Sequence, residues 1–194
     1  MARQFETLRA AVARLPRGLA DHIEGVVAEA RRLALLHRVD EDRAAAAAWG
    51  HDIARALSSS ELLAEASRLG LAVDPAEEEA PILLHGPVGA AILSRDYAID
   101  DPEVLAVARY HTTARAGMST LEKVVFVADK IEVGKAQGQP ALARVRQLAD
   151  RDLDAAILEH LNQHLLEAGR RGWPLHPNTV AARNELLLAG RTRA

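Results

Sequence analysis

The sequence predicts an all-α fold, a single bundle of about nine or ten helices with its core between residues 18 and 189. Three observations carry that expectation. Hydrophobic residues make up 49% of the chain but aromatics only 3%, so the core must be built from Leu, Ala and Val, which suits close-packed helices. Apolar residues recur at three- and four-residue spacing in nearly every segment. The breaks between segments carry helix caps rather than hairpin signals.

Residues 3–15 place Phe5, Leu8, Val12 and Leu15 on one helical face, and Pro16-Arg17-Gly18 ends that run. A second helix over about 19–37 presents Ile23, Val26, Val27, Ala30 and Leu33 or Leu35. Asp40 is the cap of a third, with Glu41 and Asp42 favourably placed in its first turn. The pattern carries this helix through Ala44–Ala48 and the His51-Asp52 pair to about Leu57. Ser58 with Glu61 forms a capping box for a short helix ending near Gly70, and residues 71–76 read as a loop. An apolar segment, 81–93, holds His85-Gly86-Pro87. Asp101-Pro102 starts the next helix, a cap followed by proline at the first helical position, and that helix reaches Tyr110-His111. After a polar turn at 112–117, Ser119 and Glu122 open a strongly apolar helix through Ile131. Residues 134–140 read as a loop, followed by helices over about 140–149, 152–170 and 178–189.

With 194 residues the chain is at the upper end of one domain's usual size. No internal repeat, low-complexity linker or domain boundary divides it. A net charge of −3 and a pI near 6.2 argue against nucleic-acid binding. The absence of cysteine excludes disulfides, thiolate metal sites and a cysteine nucleophile. No apolar run approaches a membrane span and the N-terminus has no signal-peptide core, so a cytoplasmic location without membrane contact is expected. Whether the chain forms a homodimer is left open.

His51 and Asp52 sit side by side where the pattern is apolar. A buried carboxylate without a partner costs several kcal/mol, so it should be paired or bound to metal. Candidate partners are His22, His85, His111 and Asp129. The short turn at 37–40 makes the helices of His22 and His51 antiparallel neighbours, with the two histidines at comparable distances from it. His111 ends one helix and Asp129 lies on the next, across another short connection. Taken singly, each is as well explained by packing or by an ion pair, such as Asp129 with Lys130 or Arg109. Jointly they form a set of imidazoles and carboxylates suited to iron, manganese or zinc, with the oxygen content favouring iron or manganese. Six protein ligands are too many for one catalytic ion that must keep open positions, but enough for two ions bridged by Asp52. His37, His160, His164 and His176 are read as peripheral, the 160/164 pair as a solvated face.

The pattern His22, His51-Asp52, Asp129 resembles the HD-domain metal-dependent phosphohydrolases. The strings Leu84-His85-Gly86-Pro87-Val88-Gly89-Ala90 and Tyr110-His111-Thr112-Thr113-Ala114-Arg115 resemble the YqeK family, as does Leu121-Glu122-Lys123 continuing to Ala128-Asp129-Lys130-Ile131-Glu132. These are bacterial enzymes that hydrolyse diadenosine tetraphosphate symmetrically to two ADP. The resemblance covers about residues 18–189. It implies two iron ions, one held by His22, His51, Asp52 and Asp129, the other by Asp52, His85 and His111. The sequence departs from the family in having Trp49-Gly50 before the dipeptide, Ile53-Ala54-Arg55 after it, Ala114 for a glycine and Lys135 for an arginine.

The expected chemistry is attack of a metal-bound hydroxide on a β-phosphate, with ADP as leaving group. Arg55, Arg115 and Lys130 are candidates for the phosphate oxygens, though Arg55 and Lys130 suit ordinary ion pairs equally well. Thr112 and Thr113 could donate to phosphate or sugar. The stretch Pro177 to Asn184 is read as packing rather than nucleotide contact. Two alternatives stay open: an HD phosphohydrolase acting on other nucleotides, and a non-catalytic helical module that keeps a metal for stability or for a partner.

Overall fold

A computed structural model describes residues 2–136 and 140–192, and the helices follow the capping pattern. Helix α1 (Ala2–Val12) leads into α2 (Arg17–Leu36), α3 (Glu41–Gly50) and α4 (Ser59–Arg68). A short α5 (Pro75–Glu79) and a 3-10 turn (Pro81–Leu84) precede α6 (His85–Tyr97) and α7 (Pro102–Tyr110). Then come α8 (Thr120–Ile131), the single turn α9 (Val133–Ala136), α10 (Pro140–Ala149), α11 (Leu153–Arg171) and α12 (Pro177–Thr192). No strand occurs among the described residues, and none of their helices is long and apolar enough to cross a membrane.

The core forms where the apolar stripes meet. Ile23, Val26, Ala30 and Leu33 of α2 are sealed against the alanines of α3 and against Val124, Val125, Ala128 and Ile131 of α8. Ala44–Ala48 are all buried. A run of methyl side chains lets α3 run through the centre with neighbours close on several sides, where larger residues would hold the helices apart. A smaller cluster of Ala54, Leu62, Ala66, Leu84 and Val88 fills the space beneath α4 and α6.

The caps fix where helices begin. The Asp40 carboxylate accepts from Arg43 N–H at 2.8 Å, and Ser58–Glu61 and Ser119–Glu122 are both reciprocal capping boxes. Asp101 accepts from Glu103 N–H at 2.9 Å and also holds the Arg43 guanidinium at 2.7 Å. One carboxylate therefore starts α7 and ties it to α3.

Three expectations need correction. The third helix stops at Gly50, not near Leu57. Residues 51–57 continue as tight turns closed by three-residue hydrogen bonds, Ile53 N to Gly50 O and Arg55 N to Asp52 O. The 71–76 loop ends early because Asp74 and Glu77 form a third capping box, with Pro75 at the first position of α5. Of the expected 134–140 loop, Val133–Ala136 is a helical turn, while residues 137–139 lie outside the described residues.

Gly86 lets α6 and α7 touch backbone to backbone. A Cβ there would stand 2.6 Å from the carbonyl oxygen of Arg109 and 3.1 Å from that of Ala108. Gly86→Ala must push the two helices apart next to His85 and His111. We expect a loss of about 2 kcal/mol in urea unfolding, and an unchanged midpoint would contradict this reading of the contact.

Candidate metal centre

Ending α3 at Gly50 places the His51-Asp52 pair at the mouth of the bundle, on a turn between α2, α6, α7 and α8. Its neighbours arrive from those four helices: His22 from mid-α2, His85 at the start of α6, His111 just after α7, and Asp129 near the end of α8. The structure brings all six side chains into one pocket. His51, Asp52, His85, His111 and Asp129 are buried and His22 nearly so.

Asp52 stands at the middle, and its two oxygens face different ways. Oδ1 is 3.1 Å from His85 Nε2 and 3.2 Å from His111 Nε2. Oδ2 is 3.7 Å from both His22 Nε2 and His51 Nε2. Asp129 Oδ1 completes the second group, 3.1 Å from His22 Nε2 and 3.9 Å from His51 Nε2. One carboxylate thus separates two sets of donor atoms.

The protonation pattern shows what the pocket suits. The Nδ1 atoms of His51 and His111 donate to the carbonyls of Ala48 and Ala108 at 2.7 and 2.8 Å, and that of His85 donates to Ile82 O. In each case the acceptor lies three residues back along the chain. With the ring proton on Nδ1, the neutral imidazole presents a lone pair at Nε2. His85 Nε2 and His111 Nε2 are then two lone pairs 2.9 Å apart, both facing the Asp52 carboxylate. His51 Nε2 is buried and has no hydrogen-bond partner among the described residues. Lone pairs aimed at one another repel unless a cation lies between them, so the donor set fits metal ions. It holds imidazole and carboxylate and no sulfur.

Electrostatics agree. Burial pushes the His51 imidazole down to about 4, against the opposing pull of Asp52. Burial lowers His111 as well, with Asp52 opposing and His85 adding to the shift. Burial alone would raise Asp52, but any extra proton carried by His51, His111 or His85 beside it outweighs burial, and the carboxyl is held far below its usual range. His51 and His111 are kept neutral and Asp52 ionised, the states in which each can bind metal.

The surrounding residues divide. Arg55 is exposed and lines a cleft of about 400 Å³ that opens onto His22 and Asp52. Thr112 Oγ1 lies 3.2 Å from His85 Nε2 and 3.1 Å from His111 Nε2. Lys130 Nζ is held inside, 2.6 Å from Asp129 Oδ2 and 3.2 Å from His111 O. Thr113 turns away, its hydroxyl donating to Ala114 O and its main-chain carbonyl accepting from Thr179 Oγ1 at 2.8 Å. Arg115 forms a two-pronged pair with buried Glu122, both bonds 2.7 Å, and stacks on Tyr110. Two histidines are less peripheral than expected: His176 lies 3.6 Å from Glu77, and His160 packs edge-on against Phe126.

Sequence reasoning assigned no role to Glu132. It is 5% exposed, with Oε1 3.3 Å from His22 Nδ1, while Oε2 accepts from Gly134 N–H at 2.6 Å. The signal was present as an acid three residues beyond Asp129, at the end of an apolar helix.

Comparison with known proteins places this geometry. The HD domain description matches residues 19–134. The symmetrical bis(5'-nucleosyl)-tetraphosphatase of Halalkalibacterium halodurans is 35% identical over 86% of this chain and 88% of its own. That of Bacillus subtilis is 33% identical over the same shares. A crystal structure of a predicted HD superfamily hydrolase involved in NAD metabolism, from Clostridium acetobutylicum, superposes with a TM-score of 0.90 at 30% identity, covering 95% of this chain and 97% of that one. With all six converging side chains inside the HD match, and relatives matched over most of their length in both sequence and fold, the chain belongs to the HD-domain hydrolases, in the family of the symmetrical bis(5'-nucleosyl)-tetraphosphatases.

Proposed function

We propose that the chain is a metal-dependent phosphohydrolase that cleaves diadenosine tetraphosphate symmetrically, one water and one dinucleotide giving two ADP. The observation that carries this reading is the division of donors by Asp52. Its Oδ2 with His22, His51 and Asp129 would hold one ion, and its Oδ1 with His85 and His111 the other. Iron, the metal the family resemblance implies, is the first choice for this sulfur-free set of imidazoles and carboxylates, with manganese and zinc as alternatives. Two such ions supply, when bound, an activated water and neutralisation of phosphate charge.

The chain's own residues do the rest. Asp52 holds the two donor sets in register. Lys130 fixes the second oxygen of Asp129 and so keeps its first turned toward His22. Arg55, at the rim of the cleft, is placed to meet non-bridging oxygens of a polyphosphate chain. Thr112 offers a hydroxyl beside His85 and His111. The relatives from Halalkalibacterium halodurans and Bacillus subtilis carry the symmetrical cleavage in their names, which supports the choice of substrate.

The test pairs metal removal with product analysis. Chelated protein should lose hydrolysis of diadenosine tetraphosphate to below detection, and added Fe²⁺ or Mn²⁺ should restore it. ADP should be the sole nucleotide product. AMP and ATP in equal amounts would refute symmetrical cleavage, and undiminished turnover after chelation would refute metal dependence.

A further inference from the structure

The four imidazoles of the centre are not held alike. His51, His85 and His111 each direct Nδ1 at a main-chain carbonyl three residues earlier. The Nδ1 of His22 points instead at a side chain, Glu132 Oε1, at 3.3 Å. His22 lies inside α2, where the carbonyls on either side are committed to the helix ladder, so an acceptor has to come from elsewhere. The fold makes room for one. Gly25, one turn along α2, leaves the space that the Glu132 carboxylate fills, and a Cβ there would stand 2.8 Å from Oε2. Gly134 N–H fixes that same oxygen at 2.6 Å, which leaves Oε1 for the histidine.

We propose that Glu132 is a positioning residue for the metal site. Its carboxylate accepts the Nδ1 proton of His22, sets the tautomer that frees Nε2 toward Asp129 and Asp52, and makes the imidazole a stronger donor. Gly25 and Gly134 together form its cradle. This rests on the metal-dependent reading above. Outer partners of this kind change metal affinity about ten- to a hundredfold, and the effect should fall on one ion of the two.

The experiment is a Mn²⁺ titration of the full, metal-free chain by calorimetry, alongside thermal melts without metal. Wild type should take up two ions. Glu132→Ala should weaken one site about ten- to a hundredfold and leave the other unchanged. Glu132→Gln keeps an acceptor but not the charge, and should fall between the two. Gly25→Ala retains the acid and displaces its carboxylate, so it should weaken the same site, and it serves if Glu132→Ala fails to fold. If wild type takes up no Mn²⁺, the metal reading itself fails. If wild type takes up two ions and both Glu132→Ala and Gly25→Ala match it, Glu132 has no part in positioning. A fall at both sites equally, tracking a lower melting temperature, would make Glu132 merely structural and overturn the proposal.

Discussion

Replacing Asp52 by alanine should cost more than the ten- to hundredfold loss typical of an outer partner, because both donor sets lose their shared member. On the reading proposed above, turnover of diadenosine tetraphosphate should drop below detection and the two ions proposed should fall to one or none. The carboxylate touches His85 and His111 through one oxygen and faces His22 and His51 with the other, and no neighbouring acid can stand in for both. Asp52→Asn is the sharper variant. It keeps the shape but has one carbonyl oxygen, so it should retain at most one ion. Elemental analysis together with ADP release checks both substitutions. Two retained ions with near-normal turnover would remove Asp52 from the bridging position.

Acid should destabilise the metal-free protein well before ordinary carboxylates titrate. The His51 imidazole has a pKa of about 4 when folded and 6.5 as a free side chain. Between those values the unfolded chain binds the extra proton, so stability falls as pH drops through the window and levels off below it. For this one group the loss is on the order of 3 kcal/mol. His111, also lowered by burial, adds in the same direction. Asp52 extends the trend: its folded pKa lies below the free value of 3.8, so its contribution is intact above 3.8 and is lost beneath it. Urea unfolding of chelated protein at pH 7, 6 and 5 should show midpoints declining steadily. A constant midpoint across that range would mean that the imidazoles are not held neutral by burial.

Much of this molecule is legible in its sequence, and the reasons are local. Caps at Asp40, Ser58, Asp101 and Ser119 mark helix starts because a side-chain oxygen must meet orphan N–H groups within three residues. The six-residue constellation is legible because ionisable groups in apolar surroundings need a joint explanation. The end of α3 was harder to read. Alanines favour continued helix, and nothing in Ile53-Ala54-Arg55 signals a stop, yet the ladder gives way after Gly50 to three-residue turns; Leu93 leaves no room for a Cβ at that position. The capping box at Asp74 was visible but short, and proline beside it reads equally as a loop. Glu132 was hidden for another reason: its value lies in contacts across 110 positions, to His22, and in the space left by Gly25. The pairing of Arg115 with Glu122, seven residues on, likewise depends on how the turn before α8 folds back and is not announced by the sequence.

The three imidazoles anchored on main-chain carbonyls have an evolutionary consequence. No codon change can delete a backbone oxygen, so the aim of His51, His85 and His111 is inherited with the local winding of the chain and survives drift in the residues around them. His22 has no such insurance. Substitutions that spoil the aim of an imidazole without touching a histidine should therefore concentrate on the few residues around His22.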